Sequence, residues 1–204
     1  ITGGRANGTS PRDGFGGGWL NEASLGDSSK PRIFNNIISN NYAQNSGGGI
    51  ANRAVTGSYG NVSPIVTNCI ISGNQAANTV TGGGGLYHDG TGVLGIPPLL
   101  GKSSPIYTNC VLAGNIVPIS GSAMYNTASV FLGTCNPVFI NCIIWNNSII
   151  PMVESPIVNI PPASPVISYS IVQTSLLPAY TDAGNNKPDG TDPMFEDAPA
   201  PALT

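Results

Sequence analysis

Apolar and polar positions alternate over short runs along this chain, and the runs come in a repeating phrase. Residues 63–74 read SPIVTNCIISGN, residues 104–115 SPIYTNCVLAGN and residues 136–147 NPVFINCIIWNN. Weaker copies are KPRIFNNIISNN over 30–41 and SPVISYSIVQTS over 164–175. The prolines of the five copies, Pro31, Pro64, Pro105, Pro137 and Pro165, are 33, 41, 32 and 28 residues apart. A constant phrase with a variable period predicts one coil of a solenoid per copy, with insertions confined to loops. Three- and four-residue runs rich in Ile and Val, punctuated by Asn and Gly, predict strands and bends rather than helices.

The columns of the repeat predict which face is buried. Five residues after the proline stand Cys69, Cys110 and Cys142, and seven after it Ile38, Ile71, Leu112, Ile144 and Val172. These two positions share a face by the period of two. Position two, Ile33, Val66, Tyr107, Phe139 and Ile167, is apolar with the opposite parity. Asn35, Asn68, Asn109 and Asn141 at position four reconcile them, because Asn tolerates the left-handed conformation and one bent residue resets the inward face. At position ten come Asn41, Asn74, Asn115 and Asn147. In stacked coils about 4.8 Å apart, the two Asn columns form ladders that satisfy turn amides. The cysteine column is expected to be a stack of buried free thiols.

A second phrase lies between the prolines: GFGGGWL (14–20), NSGGGIAN (45–52), TGGGGLYH (81–88) and ISGSAMYN (119–126). Its glycines suit a turn with positive φ followed by a strand. Each coil then holds about three short strands. The expected fold is all-β, a right-handed parallel β-helix of five to six coils, given the hand of parallel crossovers. Residues 1–175 form the repeats and 176–204 an irregular closing segment.

Composition narrows the partners. Charged residues are 8% of the 204 and the net charge is −3, so nucleic acid has no electrostatic support as a partner. No apolar run reaches the ~18 residues of a membrane span. The first residues lack the features of a signal peptide, so secretion signals would belong to sequence outside this chain.

The phrases ITGGRANG, GGG-aliphatic, SPIVTNCIISGN, NPVFINCIIWNN, SYSIVQTS and GTDPMFED together resemble the parallel β-helix repeats of the pectin-lyase-like superfamily. The likeness is to large secreted or cell-surface proteins of Bacteroidetes-type bacteria. It implies an extracellular chain acting as a rigid stalk or adhesive surface for a glycan or a partner protein. The superfamily also holds polysaccharide lyases and glycoside hydrolases, which is the alternative expectation. A hydrolase needs paired carboxylates, and no pair of acids recurs in one column on neighbouring coils. His88 and Asp89 are the one acid/base cluster, against ordinary loop polarity. Asp182, Asp189 and Asp192, in a Gly/Asn-rich tail, are the candidate calcium ligands; no other cofactor is expected. Position six, Ile37, Ile70, Val111, Ile143 and Ile171, is an apolar stripe on the outward parity. It marks a contact surface unless the chain's own loops cover it.

Overall fold

The computed structural model describes residues 1–8, 13–54, 60–92, 100–129, 133–149, 155–173, 180–187 and 191–194. Among them are short strands and no helix. All strand pairs are parallel and in register from coil to coil, so the fold is a parallel β-helix. The coils build five sheets, a finer division than three strands per coil.

Sheet I stacks Arg5–Ala6, Tyr42–Ala43, Gln75–Ala76, Ile116–Val117 and Ser148–Ile149. Sheet II stacks Trp19–Ala23, Ile50–Ala54, Leu86–Asp89, Met124–Thr127 and Ile157–Ile160. Sheet III holds Ser28–Ser29, Asn61–Val62, Gly101–Ser103 and Gly133–Cys135. Sheet IV holds Arg32–Phe34, Ile65–Thr67, Ile106–Thr108, Val138–Ile140, Val166–Ser168 and Thr181–Asp182. Sheet V holds Ile37–Ser39, Ile70–Ser72, Val111–Ala113, Ile143–Trp145 and Ile171–Val172. The repeated phrase thus supplies sheets IV and V, and the glycine phrase leads into sheet II.

The bends are local and have identifiable causes. Asn35, Asn68, Asn109 and Asn141 have φ between +53° and +55°, and Tyr169 takes the same conformation in the last coil. That one left-handed residue turns sheet IV into sheet V and lets positions two, five and seven all face inward. Ile33, Val66, Tyr107, Phe139 and Ile167 are buried together with Cys69, Cys110, Cys142 and the Ile38, Ile71, Leu112, Ile144 and Val172 column. Tyr107 stacks on Phe139 with ring centroids 4.6 Å apart and planes 5° apart. The glycine turn is similarly constrained: Gly47 has φ +72°, and a Cβ on Gly48 would lie 2.4 Å from the Gln75 carbonyl oxygen. A side chain at either position would meet strain or backbone.

The stack continues past residue 175, because Thr181–Asp182 pairs with Val166–Ile167. Asn186 then accepts the Ser170 backbone N–H at 2.9 Å, as Ser170 Oγ accepts that of Cys142 at 2.9 Å. Polar side chains here close the cysteine column at its C-terminal end.

Candidate functional site

Three features could carry chemistry or contact: a polar chain through the core, a charged and aromatic column on sheet II, and the outer faces of sheets IV and V.

The polar chain begins in the strand after the glycine turn. Asn21, Asn52, His88, Asn126 and Asn159 stand in register on the five strands of sheet II. Trp19 Nε1 donates to Asn21 Oδ1 at 2.7 Å, and Asn21 Nδ2 donates to Asn52 Oδ1 at 2.7 Å. Asn52 Nδ2 donates to the Tyr107 hydroxyl at 3.0 Å. His88 Nε2 lies 2.8 Å from that hydroxyl, and His88 Nδ1 lies 2.6 Å from Asn126 Oδ1. Asn126 Nδ2 donates to Asn159 Oδ1 at 2.7 Å. Because Asn126 presents its oxygen to the ring, Nδ1 carries the proton and Nε2 accepts from Tyr107. Every bond then points the same way along the stack.

His88 is therefore a rung of an interior ladder, and its ring is fully buried. Burial lowers its pKa to about 4, with the Asn126 hydrogen bond opposing the shift. No substrate reaches this imidazole, so it does not serve as an acid or base at the surface. Asp89 points to the other side of the strand. Its Oδ1 accepts the Thr91 N–H at 2.9 Å, and burial raises its carboxyl pKa.

Asp89 belongs to the second feature. Glu22, Arg53 and Asp89 stand in register on successive strands, so a cation separates the two acids. Arg53 Nη1 lies 2.7 Å from Glu22 Oε1, and its guanidinium sits 3.8 Å over the Phe15 ring. Tyr87 stacks on Tyr125 with centroids 6.1 Å apart. Arg53, Tyr87, Asp89 and Tyr125 are all buried. An acid–base–acid column closed in this way is a packing device, and it offers no opposed carboxylates across an open groove.

The remaining predicted residues divide by burial. Asn41 Nδ2 donates to Asn74 Oδ1 at 2.9 Å, Asn74 to Asn115 at 3.0 Å and Asn115 to Asn147 at 2.9 Å. Each oxygen also accepts a backbone N–H from the preceding coil. The position-four ladder is exposed and runs the opposite way: Asn141 donates to Asn109 at 2.8 Å and Asn109 to Asn68 at 3.1 Å. Cys69, Cys110, Cys135 and Cys142 are free and buried. Asp182 Oδ1 accepts from Gly184 N and Asn186 Nδ2, each at 2.7 Å, and Asp192 Oδ1 accepts from Met194 N at 2.7 Å. These carboxylates hold their own turns. Asp189 lies outside the described residues, and among the described residues no three acids, histidines or cysteines are grouped to hold a metal.

The third feature is open to solvent. Ile37 is 58% exposed and Ile70 41%, while Val111, Ile143 and Ile171 are half-buried. Across the Asn bend, Phe34, Ile106 and Ile140 of sheet IV are exposed, and Tyr169 at the bend is 61% exposed. Six of the exposed large apolar residues therefore lie on the outer faces of sheets IV and V or at the bend between them, where neutral side chains predominate. Beside it, sheet III floors a groove of about 530 Å³ whose polar lining includes Asp27, Ser28, Asn61, Lys102 and Thr134.

The sequence pattern located the outward stripe and the Asn columns of the repeated phrase. It missed the interior ladder of sheet II, whose signal was the N, N, H, N register five residues after the positive-φ glycines Gly16, Gly47, Gly83 and Gly121. Comparison with known protein families, with curated proteins and with solved structures finds no match to this chain.

Proposed function

We propose that this chain is a non-catalytic β-helix binding module whose apolar outer face on sheets IV and V docks a partner protein. The observation that carries this reading is the exposure of Ile37, Phe34, Ile70, Ile106, Ile140 and Tyr169 on two adjoining sheets of the stack and the bend between them. Contiguous apolar surface of this kind marks contact sites in folded proteins, and Tyr with large aliphatics suits interface anchors. Among the described residues the candidate acid/base pair His88 and Asp89 is buried, and the carboxylates of Asp182 and Asp192 are tied into turns, which favours contact over turnover. The likeness of the repeats to those of the pectin-lyase-like superfamily supports an extracellular, surface-displayed setting.

The test is Ile70→Asp. An exposed substitution shifts stability by no more than about 0.5 kcal/mol, so the variant should keep its circular dichroism and thermal midpoint while losing binding of an apolar dye. Unfolding of the variant would show that the stripe is core and end the proposal.

A second reading, a glycan contact, is favoured by the groove on sheet III, where hydroxyls, an amide, one acid and one amine converge as hydrogen-bonding partners for a sugar. Calorimetric titration with neutral and uronate oligosaccharides, repeated on Lys102→Ala, tests it. Turnover of uronate polymers, with or without calcium, would replace both readings with an enzymatic one.

A further inference from the structure

We infer that His88 is an acid-operated latch, whose protonation frees sheet III and the groove beside it while the rest of the solenoid stays closed. The latch belongs to the third coil and holds whether or not the groove takes a glycan. Three observations lead to it.

The first is the single direction of the interior chain. His88 Nε2 accepts the Tyr107 hydroxyl proton, and that hydroxyl oxygen accepts from Asn52. A second proton on the ring turns Nε2 into a donor. Nε2–H and the Asn52 amide then converge on one oxygen, and the hydroxyl proton loses its acceptor in the chain. The groups facing the ring are Asn52 and Asn126 on sheet II, Tyr107 on sheet IV and the Cys135 thiol on sheet III. Burial pushes the Tyr107 and Cys135 pKa values up, so both stay neutral. The adjoining carboxylate, Asp89, leaves the strand on its other side, in register with Arg53. An imidazolium at this fully buried position therefore has no opposite charge beside it, which is a costly arrangement.

The second is what holds sheet III in place. Among the described residues the main apolar core is built on sheets II, IV and V and their turns, with no member from sheet III. The inward side chains of sheet III are Ser29, Val62, Ser103 and Cys135. Two of them bond the backbone of the interior chain itself. Ser103 Oγ donates to the Asn52 carbonyl at 3.4 Å, and Cys135 Sγ to the His88 carbonyl at 3.6 Å. Segments with few buried apolar contacts open at lower free energy than the core they rest on.

The third is the contact of backbone on backbone. The chain leaves His88 and Asp89 through Gly90 and Thr91. A Cβ on Gly90 would meet the Thr134 carbonyl oxygen, one on Gly133 the Gly90 carbonyl oxygen, and one on Gly101 that of Thr91. Gly101, Gly133 and Thr134 line the groove. No side chain lies between to absorb a shift, so displacement of the His88 strand passes directly to the groove lining.

An opened third coil takes up the proton that the closed one excludes, so acid favours opening. With a ring pKa of about 4 when closed and 6.5 when exposed, the opening constant rises roughly 25-fold from about pH 7.5 to about pH 5. Amide hydrogen exchange of the 204-residue chain at those two pH values, divided by the intrinsic rates, tests this. Gly101–Ser103 and Gly133–Cys135 should exchange at least about tenfold faster than Ile70–Ser72 and Val111–Ala113 of sheet V, as a sub-global opening requires, and should gain the acid step. His88→Asn should keep the faster exchange of sheet III and lose that step. The chain has one histidine, so the imidazole signals of the wild type give a second readout that decides even where the variant does not fold. The ring should stay largely neutral at about pH 5, with its proton on Nδ1. Equal protection in sheets III and V means that only the whole fold opens and overturns the latch, as does an acid step that survives in His88→Asn. Sheet III amides indifferent to acid, or an imidazole that titrates near 6.5 in the closed protein, overturn it as well.

Discussion

The interior rung at His88 makes a quantitative prediction about acid. The groups facing the ring are Asn52, Asn126, Tyr107 and the Cys135 thiol, which donates to the His88 carbonyl at 3.6 Å. None of them is a carboxylate. A proton added at Nε2 would face the Tyr107 hydroxyl, whose lone pair already accepts from Asn52. The folded-state pKa falls to about 4, from 6.5 for an unperturbed imidazole. Between those values the unfolded chain binds more protons than the folded chain, so stability rises with pH. The stabilising contribution is complete above pH about 6.5 and is lost as pH falls toward about 4. A shift of that size is worth roughly 3 kcal/mol at ~1.4 kcal/mol per pH unit. That is a large part of the ~5–15 kcal/mol that holds a domain together.

Urea unfolding at pH 7.5, 6.0, 5.0 and 4.5, on the wild type and on His88→Asn, isolates this term. Asparagine restores the residue type found at the other four rungs, Asn21, Asn52, Asn126 and Asn159. The variant leaves the Tyr107 hydroxyl short of an acceptor, which costs about 1–3 kcal/mol at pH 7.5. Its stability should then fall less steeply on acidification, so that the two proteins converge or cross near pH 4.5. Asp89 acts with the opposite sign, since its raised pKa costs stability as pH rises through it. It is present in both proteins and cancels in the difference. Parallel curves for the two proteins would refute the reasoning.

Other substitutions probe the frame. Tyr107→Phe keeps the stack on Phe139 but leaves Asn52 and His88 without their shared hydroxyl; two buried groups at about 1–3 kcal/mol each should cost roughly 2–6 kcal/mol by urea unfolding, and a loss under about 0.5 kcal/mol would show that the chain is not satisfied through this residue. The four thiols are buried, and burial pushes the Cys135 pKa up, so Ellman's reagent should titrate none of them in the native protein and all four in urea; rapid native reaction would contradict the inward column. Asn109→Val places a β-branched residue at φ +54° and should cost about 1–2 kcal/mol, whereas Asn109→Gly should be close to neutral.

How far the sequence could be read depended on whether a signal lay within one phrase. Positions two, five and seven could be assigned inward, and position ten to a ladder, because each sits at a fixed distance from a proline. The bend at Asn35, Asn68, Asn109 and Asn141 was legible because the apolar parity changed across it. The sheet II ladder depends instead on the register set by the glycine turn, and one of its members breaks the residue pattern: where a fifth Asn would stand, the chain has His88. Its partner Tyr107 comes from sheet IV, 19 residues later and across the core, and no local pattern announces that contact. The Glu22–Arg53–Asp89 column was hidden for the same reason. Strand count was the other difference, since the αL residue and the serine–proline step divide each side of a coil into separate short strands.

The direction of the interior chains explains why a tryptophan stands two residues before the first asparagine and a histidine sits in an otherwise asparagine position. In both buried ladders each side-chain amide donates toward the C-terminal coil and accepts from the N-terminal side. Asparagine carries one donor and one acceptor group at fixed separation, so it transmits that direction without choice. A chain of this kind needs a donor at its head. Trp19 supplies one that cannot accept, since its indole has only an N–H. Neutral histidine likewise accepts on one ring nitrogen and donates on the other. Its span, with the Tyr107 hydroxyl in series, fills a rung where a direct amide-to-amide bond is replaced by a longer path. Aligned hydrogen bonds polarise one another in a low-dielectric interior, so the ladders stiffen the stack along its axis while consuming every buried polar group they contain. The core is thereby closed to chemistry, and what the chain offers to other molecules is left to its outer faces and to the loops between coils.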